Sequence, residues 1–242
     1  SSKHRQFLRE SRKDNNTFQV SIVGYTNAGK STLLNTLSNS DIYAMDQLFA
    51  TLDPTTRKVV LPGGRDVLVT DTVGFIRKLP HDLIDAFKST LEEVVFADLL
   101  LHVVDLSNPE YENQMKVVKE VLEELGAGEK PIIHVFNKID KVPGGQTDYT
   151  SNPENVYISA KASLGLDELL KAVEAEVSKA TKVLKMLIPY TEGKMLSYLH
   201  DNALRVIGES YEGNGTLIEA EMDSITAARL AAFVVEGSDG VC

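Results

Sequence analysis

The sequence is poor in the features that mark secreted or membrane-bound proteins. Its one cysteine is Cys242, so no disulfide can form within the chain and a reducing compartment is expected. No apolar run approaches the roughly 20 residues of a membrane-spanning helix, and no secretory signal is visible at the N-terminus. These absences predict a cytoplasmic protein without a membrane partner, and an organelle stroma or matrix is the alternative compartment.

Positive charge is also scarce, because 25 Lys and Arg stand against 35 Asp and Glu, a formal net charge of −10. This balance argues against indiscriminate binding of nucleic acid. The N-terminal stretch is an exception, with Lys3, Arg5, Arg9, Arg12 and Lys13 against only Glu10 and Asp14. We interpret residues 1–17 as the remnant of a solvated helical linker, with a basic arm on RNA as the alternative.

The most informative stretch runs from Gly24 to Ser31 and reads Gly-Tyr-Thr-Asn-Ala-Gly-Lys-Ser. It fits the phosphate-binding pattern G-x-x-x-x-G-K-[ST], in which glycines let successive N–H groups point at one anion. The pattern assigns Lys30 to the β- and γ-phosphates and the Ser31 hydroxyl to Mg²⁺. A buried strand over 18–23 and a helix over 31–37 are predicted on either side, as the motif requires.

Downstream, apolar runs alternate with amphipathic stretches. Strands are predicted over 58–61, 66–69, 99–104, 131–136 and 156–158, and helices over 82–95, 111–125 and 166–177. This alternation predicts a doubly wound, mostly parallel α/β sheet with ligands at the carboxyl ends of its strands. The first two of these strands are joined through Pro62-Gly63-Gly64, which predicts one antiparallel hairpin.

The composition changes after about residue 185. A strand over 187–190, a helix over 192–199, a hairpin of 205–211 with 216–222 around Gly213 and Asn214, and a helix over 225–234 are predicted. We therefore predict an α/β domain over 18–185, a small α+β domain over 186–235 and a flexible tail over 236–242.

Two further motifs follow predicted strands. In Asp71-Thr72-Val73-Gly74, the Asp71 carboxylate can hold Mg²⁺ through water, and the Gly74 N–H can meet the γ-phosphate. A mobile loop between the first two motifs should add a metal ligand. By chemistry alone Thr51, Thr55 and Thr56 all qualify.

The next motif, Asn137-Lys138-Ile139-Asp140, predicts the base. The Asp140 carboxylate can accept from both N1–H and N2–H₂ of guanine, whereas adenine presents an acceptor at N1. Asn137 can tie this loop to the phosphate loop, and the stem of Lys138 can cover the base. In Ser159-Ala160-Lys161, the Ala160 N–H can reach guanine O6.

The chain resembles the HflX-type GTPases, within the translation-factor-related class of P-loop GTPases. The resemblance rests on Gly24 to Ser31, Asp46 to Thr55, Leu61 to Gly64, Thr70 to Ile76, Leu79 to Leu83 and Ala97 to Asp105. It implies a GTPase domain over 18–185, Thr51 as the second Mg²⁺ ligand, and an N-terminal domain that is missing from this chain.

The resemblance also implies a GTP-hydrolysing switch that associates with ribosomes, chiefly the large subunit and its RNA, and dissociates or rescues them. We expect a monomer. The alternative is a nucleotide-gated binding module for a non-ribosomal partner, in which slow hydrolysis only resets the state. An ATPase or nucleotide kinase is disfavoured by the motif that ends at Asp140.

Two positions are unusual for such an enzyme. Phe75 stands where related GTPases carry a water-positioning glutamine, so we predict slow intrinsic hydrolysis that a partner accelerates. Asn27 is a candidate ligand for K⁺, a possible second cofactor beside Mg²⁺, as in some related GTPases. The alternative is that Asn27 only tolerates the backbone conformation of its loop.

The predicted site is therefore large. The predicted catalytic residues are Lys30, Thr51 and Gly74, and the metal ligands are Ser31, Thr51 and, through water, Asp71. The predicted nucleotide-binding residues are Gly24, Tyr25, Thr26, Asn27, Ala28, Gly29, Lys30, Ser31, Thr32, Phe49, Ala50, Thr51, Leu52, Asp53, Asp71, Thr72, Val73, Gly74, Asn137, Lys138, Ile139, Asp140, Ser159, Ala160 and Lys161.

Overall fold

The computed structural model describes residues 17–38, 56–72, 92–145 and 147–235. Predictions for the N-terminal linker, for most of the helix over 82–95 and for the C-terminal tail lie outside the described residues. The described chain forms two compact units, which divide between Glu176 and Val177.

The first unit is built on a six-stranded sheet. Its strands are β1 (Phe18–Val23), β2 (Thr56–Val60), β3 (Asp66–Asp71), β4 (Leu99–Asp105), β5 (Ile132–Asn137) and β6 (Asn155–Tyr157). They lie in the order β2-β3-β1-β4-β5-β6. Only β2 is antiparallel to its neighbour, so the predicted mostly parallel sheet with one hairpin strand is confirmed.

The central strands are buried because both faces of the sheet are covered. All six residues of β1 are buried, including the polar Gln19 and Ser21, and so are the first six of β4, which form an almost continuous apolar run. The register pairs Asp105 at the end of β4 with Asn137 at the end of β5. Side chains from distant parts of the sequence therefore meet at one edge.

Four α-helices accompany this sheet among the described residues. They are α1 (Lys30–Ser38), α2 (Glu92–Phe96), α3 (Tyr111–Glu124) and α4 (Leu166–Ala180). Helix α3 ends as its sequence predicts, because Gly126 has a φ of 74° and the Ala127 N–H bonds to the Leu122 carbonyl, a glycine-based C-cap.

The crossover from β5 to β6 has no α-helix among its described residues, only a 3-10 turn over Ile139–Lys141. Aromatic rings pack over the strands instead. Tyr157 stacks on Phe136 with ring centroids 5.0 Å apart, and Tyr149 stacks on Tyr157 at 4.8 Å. Three aromatic rings therefore pack together at β5, β6 and the crossover between them.

The described residues of the second unit form a three-stranded antiparallel sheet and two α-helices. The unit contains β7 (Thr181–Ile188), α5 (Gly193–Asn202), β8 (Arg205–Glu212), β9 (Gly215–Asp223) and α6 (Ser224–Leu230), with strand order β7-β9-β8. Its core includes Met186, Ile188, Leu199, Ile218 and Leu230. The predicted hairpin around Gly213 and Asn214 is confirmed, whereas the last predicted helix ends at Leu230.

The boundary predicted between residues 185 and 186 falls inside β7, because that strand begins at Thr181. The first half of β7 was missed because only Met186 and Ile188 are buried, so its sequence does not alternate. No helix in the described part of the chain has the length and hydropathy needed to cross a membrane.

Candidate nucleotide-binding site

The loop between β1 and α1 depends on two glycines. Gly24 has a φ of 149°, and a Cβ there would lie 2.4 Å from the Val103 carbonyl oxygen. Gly29 has a φ of 96°, and a Cβ there would lie 2.3 Å from Asn137 Nδ2. Because the backbone approaches its neighbours this closely, no other residue fits either position without displacing them.

Lys30 opens α1 and is almost completely buried, with 4% of its surface exposed. Its Nζ lies 3.2 Å from the Tyr25 carbonyl oxygen, so the ammonium group points back into the loop. Burial lowers the pKa of Lys30, although the negative charge of Asp71 opposes this shift. A bound phosphate would bring more negative charge to this buried cation, which matches the role predicted for Lys30.

Ser31 and Asp71 come together as the metal prediction requires. Ser31 Oγ donates a hydrogen bond of 2.9 Å to Asp71 Oδ2. The other carboxylate oxygen, Asp71 Oδ1, is buried and has no hydrogen-bond partner among the described residues. A hydroxyl beside a carboxylate with an unpaired oxygen suits Mg²⁺, which prefers oxygen ligands. Both residues therefore fit this cofactor.

Thr72 is placed differently from its neighbour Asp71. It is buried, and both its N–H and its hydroxyl donate to the Ile22 carbonyl oxygen, at 3.2 and 2.6 Å. These bonds fix the end of β3 against β1. The Thr72 side chain thus helps to position Asp71, and its hydroxyl already donates within the protein.

Asn137 joins the base-binding loop to the phosphate loop, as predicted. Its Nδ2 donates to the Ala28 carbonyl oxygen at 2.9 Å, across 109 positions of sequence. Lys138 has a left-handed φ of 67°, and its Nζ donates to the Asn27 carbonyl oxygen at 2.7 Å. Two consecutive side chains therefore hold the two loops in one arrangement.

Asp105 is the site residue that the sequence did not identify. Its Oδ2 lies 2.9 Å from Lys138 Nζ, and both side chains are largely buried. Burial raises the pKa of Asp105, but hydrogen bonds from Ser107 and Lys138 and the positive charge of Lys138 outweigh it, so the pKa is lowered overall. A sequence signal was available, because Asp105, like Asn137, directly follows a predicted buried strand, and ligands are expected at the carboxyl ends of such strands.

A cavity of about 360 Å³ lies where a base is expected. It is lined by Gly29, Thr32, Asn137, Lys138, Asp140, Lys141, Ser159 and Lys161. Asp140 is exposed to solvent beside it, so its carboxylate is accessible to donors on a ligand. The structure therefore brings the phosphate loop and both predicted base-binding motifs to one cavity.

Three predicted residues have other contacts in this structure. The Ala160 N–H, predicted to reach guanine O6, donates instead to Asn137 Oδ1 at 3.0 Å. Ser159 is fully buried, and its hydroxyl accepts from the Ala162 N–H. Ile139 is buried in an apolar cluster with Val104. For the Ala160 N–H to donate to a base, its hydrogen bond to Asn137 Oδ1 must therefore be shared with the base or broken.

Several predicted residues cannot be placed, because they lie outside the described residues. They are Phe49, Ala50, Thr51, Leu52, Asp53, Val73, Gly74 and Phe75. The backbone of Thr26, Asn27 and Ala28 forms a 3-10 turn within the phosphate loop. Asn27 is exposed, which leaves the K⁺ prediction open.

Comparison with known proteins identifies relatives of this site. Residues 19–138 match the family profile described as "50S ribosome-binding GTPase". The chain is 52% identical over 236 residues to the GTPase HflX of Caldanaerobacter subterraneus subsp. tengcongensis, covering 96% of this chain and 54% of that protein. It is 42% identical over 199 residues to the GTPase HflX of Escherichia coli, covering 81% and 47%. The chain thus spans about half the length of the curated relatives it matches.

Solved structures share the fold. A GTP-binding protein from Sulfolobus solfataricus in complex with GDP aligns with a TM-score of 0.55 at 28% identity, over 72% of this chain and 57% of that one. A complex of SsGBP with GDP aligns with a TM-score of 0.56 at 29% identity, over 74% and 56%. Both of these proteins were solved with a guanine nucleotide.

Proposed function

Because this chain belongs to the HflX family of GTPases, enzymes that bind and hydrolyse GTP, we propose that it is a GTP-driven switch that associates with the large ribosomal subunit and promotes dissociation or rescue of ribosomes. The observation that supports this proposal most directly is the hydrogen bond from Asn137 Nδ2 to the Ala28 carbonyl oxygen. It supports joint recognition of base and phosphates by two loops that are far apart in sequence. The proposed compartment is that of ribosomes: the cytoplasm, or an organelle stroma or matrix.

Guanine selectivity is assigned to Asp140. Its carboxylate offers two acceptors to the two neighbouring donors of guanine, whereas an amide offers one acceptor and one donor. Asp140→Asn should weaken GDP binding by about 100-fold, the cost of leaving a donor without its acceptor. Competition of GDP, XDP and ADP against a labelled nucleotide measures this. Unchanged GDP affinity in the variant would contradict the assignment.

For the metal, Ser31 and Asp71 are the described residues that would hold Mg²⁺, and Thr51 is proposed to complete the set. Mg²⁺, when bound, neutralises charge on the β- and γ-phosphates. Lys30 adds its charge to the same phosphates, and the buried position of its ammonium group keeps it directed at them. The Gly74 N–H is proposed to meet the γ-phosphate.

Hydrolysis is proposed to be slow without a partner, because Phe75 cannot orient water as glutamine does. Phe75→Ala tests whether the ring itself contributes, and loss of most basal turnover would show that it does. Asn27 is proposed to ligate K⁺ beside the phosphates. Equal GTP turnover in potassium and sodium buffers would contradict that role.

The ribosomal role is supported by the relatives and is tested directly. Purified large subunits should co-sediment with the chain in a non-hydrolysable GTP analogue and release it in GDP, and they should raise its GTP turnover. Asp140→Asn is the matched control, because it should no longer respond to GTP. Nucleotide-dependent binding to something other than ribosomal subunits would favour the binding-module alternative. Its candidate surface is the C-terminal region, because residues 186–242 carry nine Asp and Glu against three Lys and Arg.

A further inference from the structure

A second cavity, of about 340 Å³, opens beside α3 in the first unit. None of the described residues that line it also lines the nucleotide cavity. It lies between α3 and the strands β4 and β5, all of which contribute lining residues. Its volume is in the range of cavities that hold small organic ligands.

The walls of this cavity are apolar. Leu100 from β4, Leu122 from α3 and Ala127 from the following loop are all buried side chains that line it. Met115 and Ile132 line it as well and are only half-buried, so apolar surface remains accessible. A ligand with an apolar body would remove this surface from water, which is favourable in proportion to the area covered.

Two histidines give the same cavity a neutral polar side. His102 and His134 both line it, and their Nδ1 atoms lie 3.3 Å apart. One ring must donate and the other accept, so each keeps its second nitrogen for a further hydrogen bond. Burial, together with the neighbouring His134, lowers the pKa of His102 to about 3, and burial also lowers the pKa of His134 despite the opposing charge of Glu154.

The charged lining residues are all basic. Lys116, Lys119 and Lys130 line the cavity, and none of its described lining residues is acidic, although acidic residues outnumber basic ones in the whole chain. Lys130 also donates to the Ala97 carbonyl oxygen. Lys119 is 4.0 Å from Glu123 with both side chains well exposed, an arrangement that contributes little.

We propose that this cavity is a second binding site, for a small organic anion whose apolar body packs against Leu100, Leu122 and Ile132 and whose charge meets Lys116 and Lys119. Charge complementarity selects an anion, since three lysines and no acidic residue are among the described lining residues. The apolar walls select a ligand with rings or a short acyl chain over an inorganic ion. A partner helix would need a longer groove than a cavity of this volume.

The test uses 8-anilinonaphthalene-1-sulfonate, an aromatic anion that fluoresces in apolar sites, titrated into the full chain saturated with GDP. One probe should bind per chain. Lys116→Glu should raise the dissociation constant of the probe at least about 10-fold, because it replaces an electrostatic attraction by a repulsion. Lys171→Glu is the matched control, since Lys171 is an exposed helical lysine of the same unit and does not line the cavity. It should leave the constant within about two-fold.

Met115→Trp is a second test variant. The indole ring of Trp is larger than the Met side chain, so it should fill the cavity and abolish probe binding. Retention of GDP verifies that each variant is folded. Equal affinity of Lys116→Glu and the unchanged chain would overturn the proposal. Equal affinity for the uncharged analogue N-phenyl-1-naphthylamine would overturn it too, and would indicate an apolar docking surface for a protein. Neither result bears on GTP binding, which uses other residues.

Discussion

The carboxyl ends of β4 and β5 and the middle of the same two strands bury polar groups in opposite ways. At the ends, Asp105 Oδ2 lies 2.9 Å from Lys138 Nζ, and the pKa of Asp105 is lowered even though burial opposes this. In the middle, two histidines meet and burial lowers the pKa of both. Burial alone therefore does not set the charge state of a side chain. The partners decide it: Asp105 receives hydrogen bonds from Ser107 and Lys138 together with the positive charge of Lys138, and these compensate for lost solvation.

The largest effect is expected where the two loops touch. Gly29→Ala introduces a Cβ 2.3 Å from Asn137 Nδ2 at a left-handed φ of 96°, so it strains the backbone and displaces Asn137 from the Ala28 carbonyl. Together these should cost about 3 kcal/mol, or about 100-fold in GDP affinity. Calorimetric titration of GDP measures this.

Gly64→Ala is the matched control for that change. Gly64 also has a left-handed φ, of 86°, but an added Cβ would meet nothing within 4 Å. The control should lower the free energy of unfolding by about 1 kcal/mol through backbone strain and leave GDP affinity unchanged. Similar GDP affinities in the two variants would show that the contact with Asn137 is unimportant.

A smaller effect is expected from the ion pair at the strand ends. Asp105→Asn leaves Lys138 without its opposite charge in a largely buried position. Removing a charge-assisted hydrogen bond should cost about 1.5 kcal/mol and weaken GDP binding about 10-fold, since Lys138 also holds the Asn27 carbonyl. Asp66→Asn removes a pair of the same length, 2.9 Å from Lys58, that is more exposed. Any loss of GDP affinity in this control would argue against a specific role for Asp105.

The smallest effect comes from the histidines in the middle of the strands. His102 is neutral when folded because its pKa is about 3, whereas the unfolded chain binds a proton near pH 6.5. The contribution of His102 to the free energy of unfolding is fully present above pH 6.5 and is lost as the pH falls towards 3. As the pH falls from 7 to 5.5, the loss of this contribution should lower the free energy of unfolding by about 1.3 kcal/mol.

Urea unfolding of the first unit at a series of pH values tests this. The contribution of Asp105 does not interfere, because a lowered carboxyl pKa affects stability only as pH falls below the ordinary value near 3.8. His102→Gln should reduce the dependence on pH between 7 and 5.5, and the part that remains is expected from His134, whose pKa is also lowered by burial. If the free energy of unfolding of that variant depended on pH as steeply as that of the unchanged chain, titratable groups other than His102 would be the cause.

Much of the fold was predictable because local patterns were strong. The strand before Gly24 and the helix that begins at Lys30 are confirmed, and each was predictable from its buried apolar residues beside an unmistakable motif. The start of β7 at Thr181 was not predictable, because most of its first residues face solvent and carry no alternation. Thr72 and Ile139 lie inside motifs, yet their side chains are buried in the protein, and sequence spacing cannot separate such positions from ligand contacts.

Residue type and spacing establish the class of ligand and the order of the motifs, because they encode which atoms can meet phosphate and guanine. Packing between distant segments decides the contacts that spacing does not encode, such as the pair of Asp105 with Lys138. The parallel register of β4 and β5 places Asp105 beside Asn137 and His102 beside His134, and that register depends on packing between distant segments. For the same reason only the structure showed a cavity of lysines, histidines and apolar walls in an acidic chain.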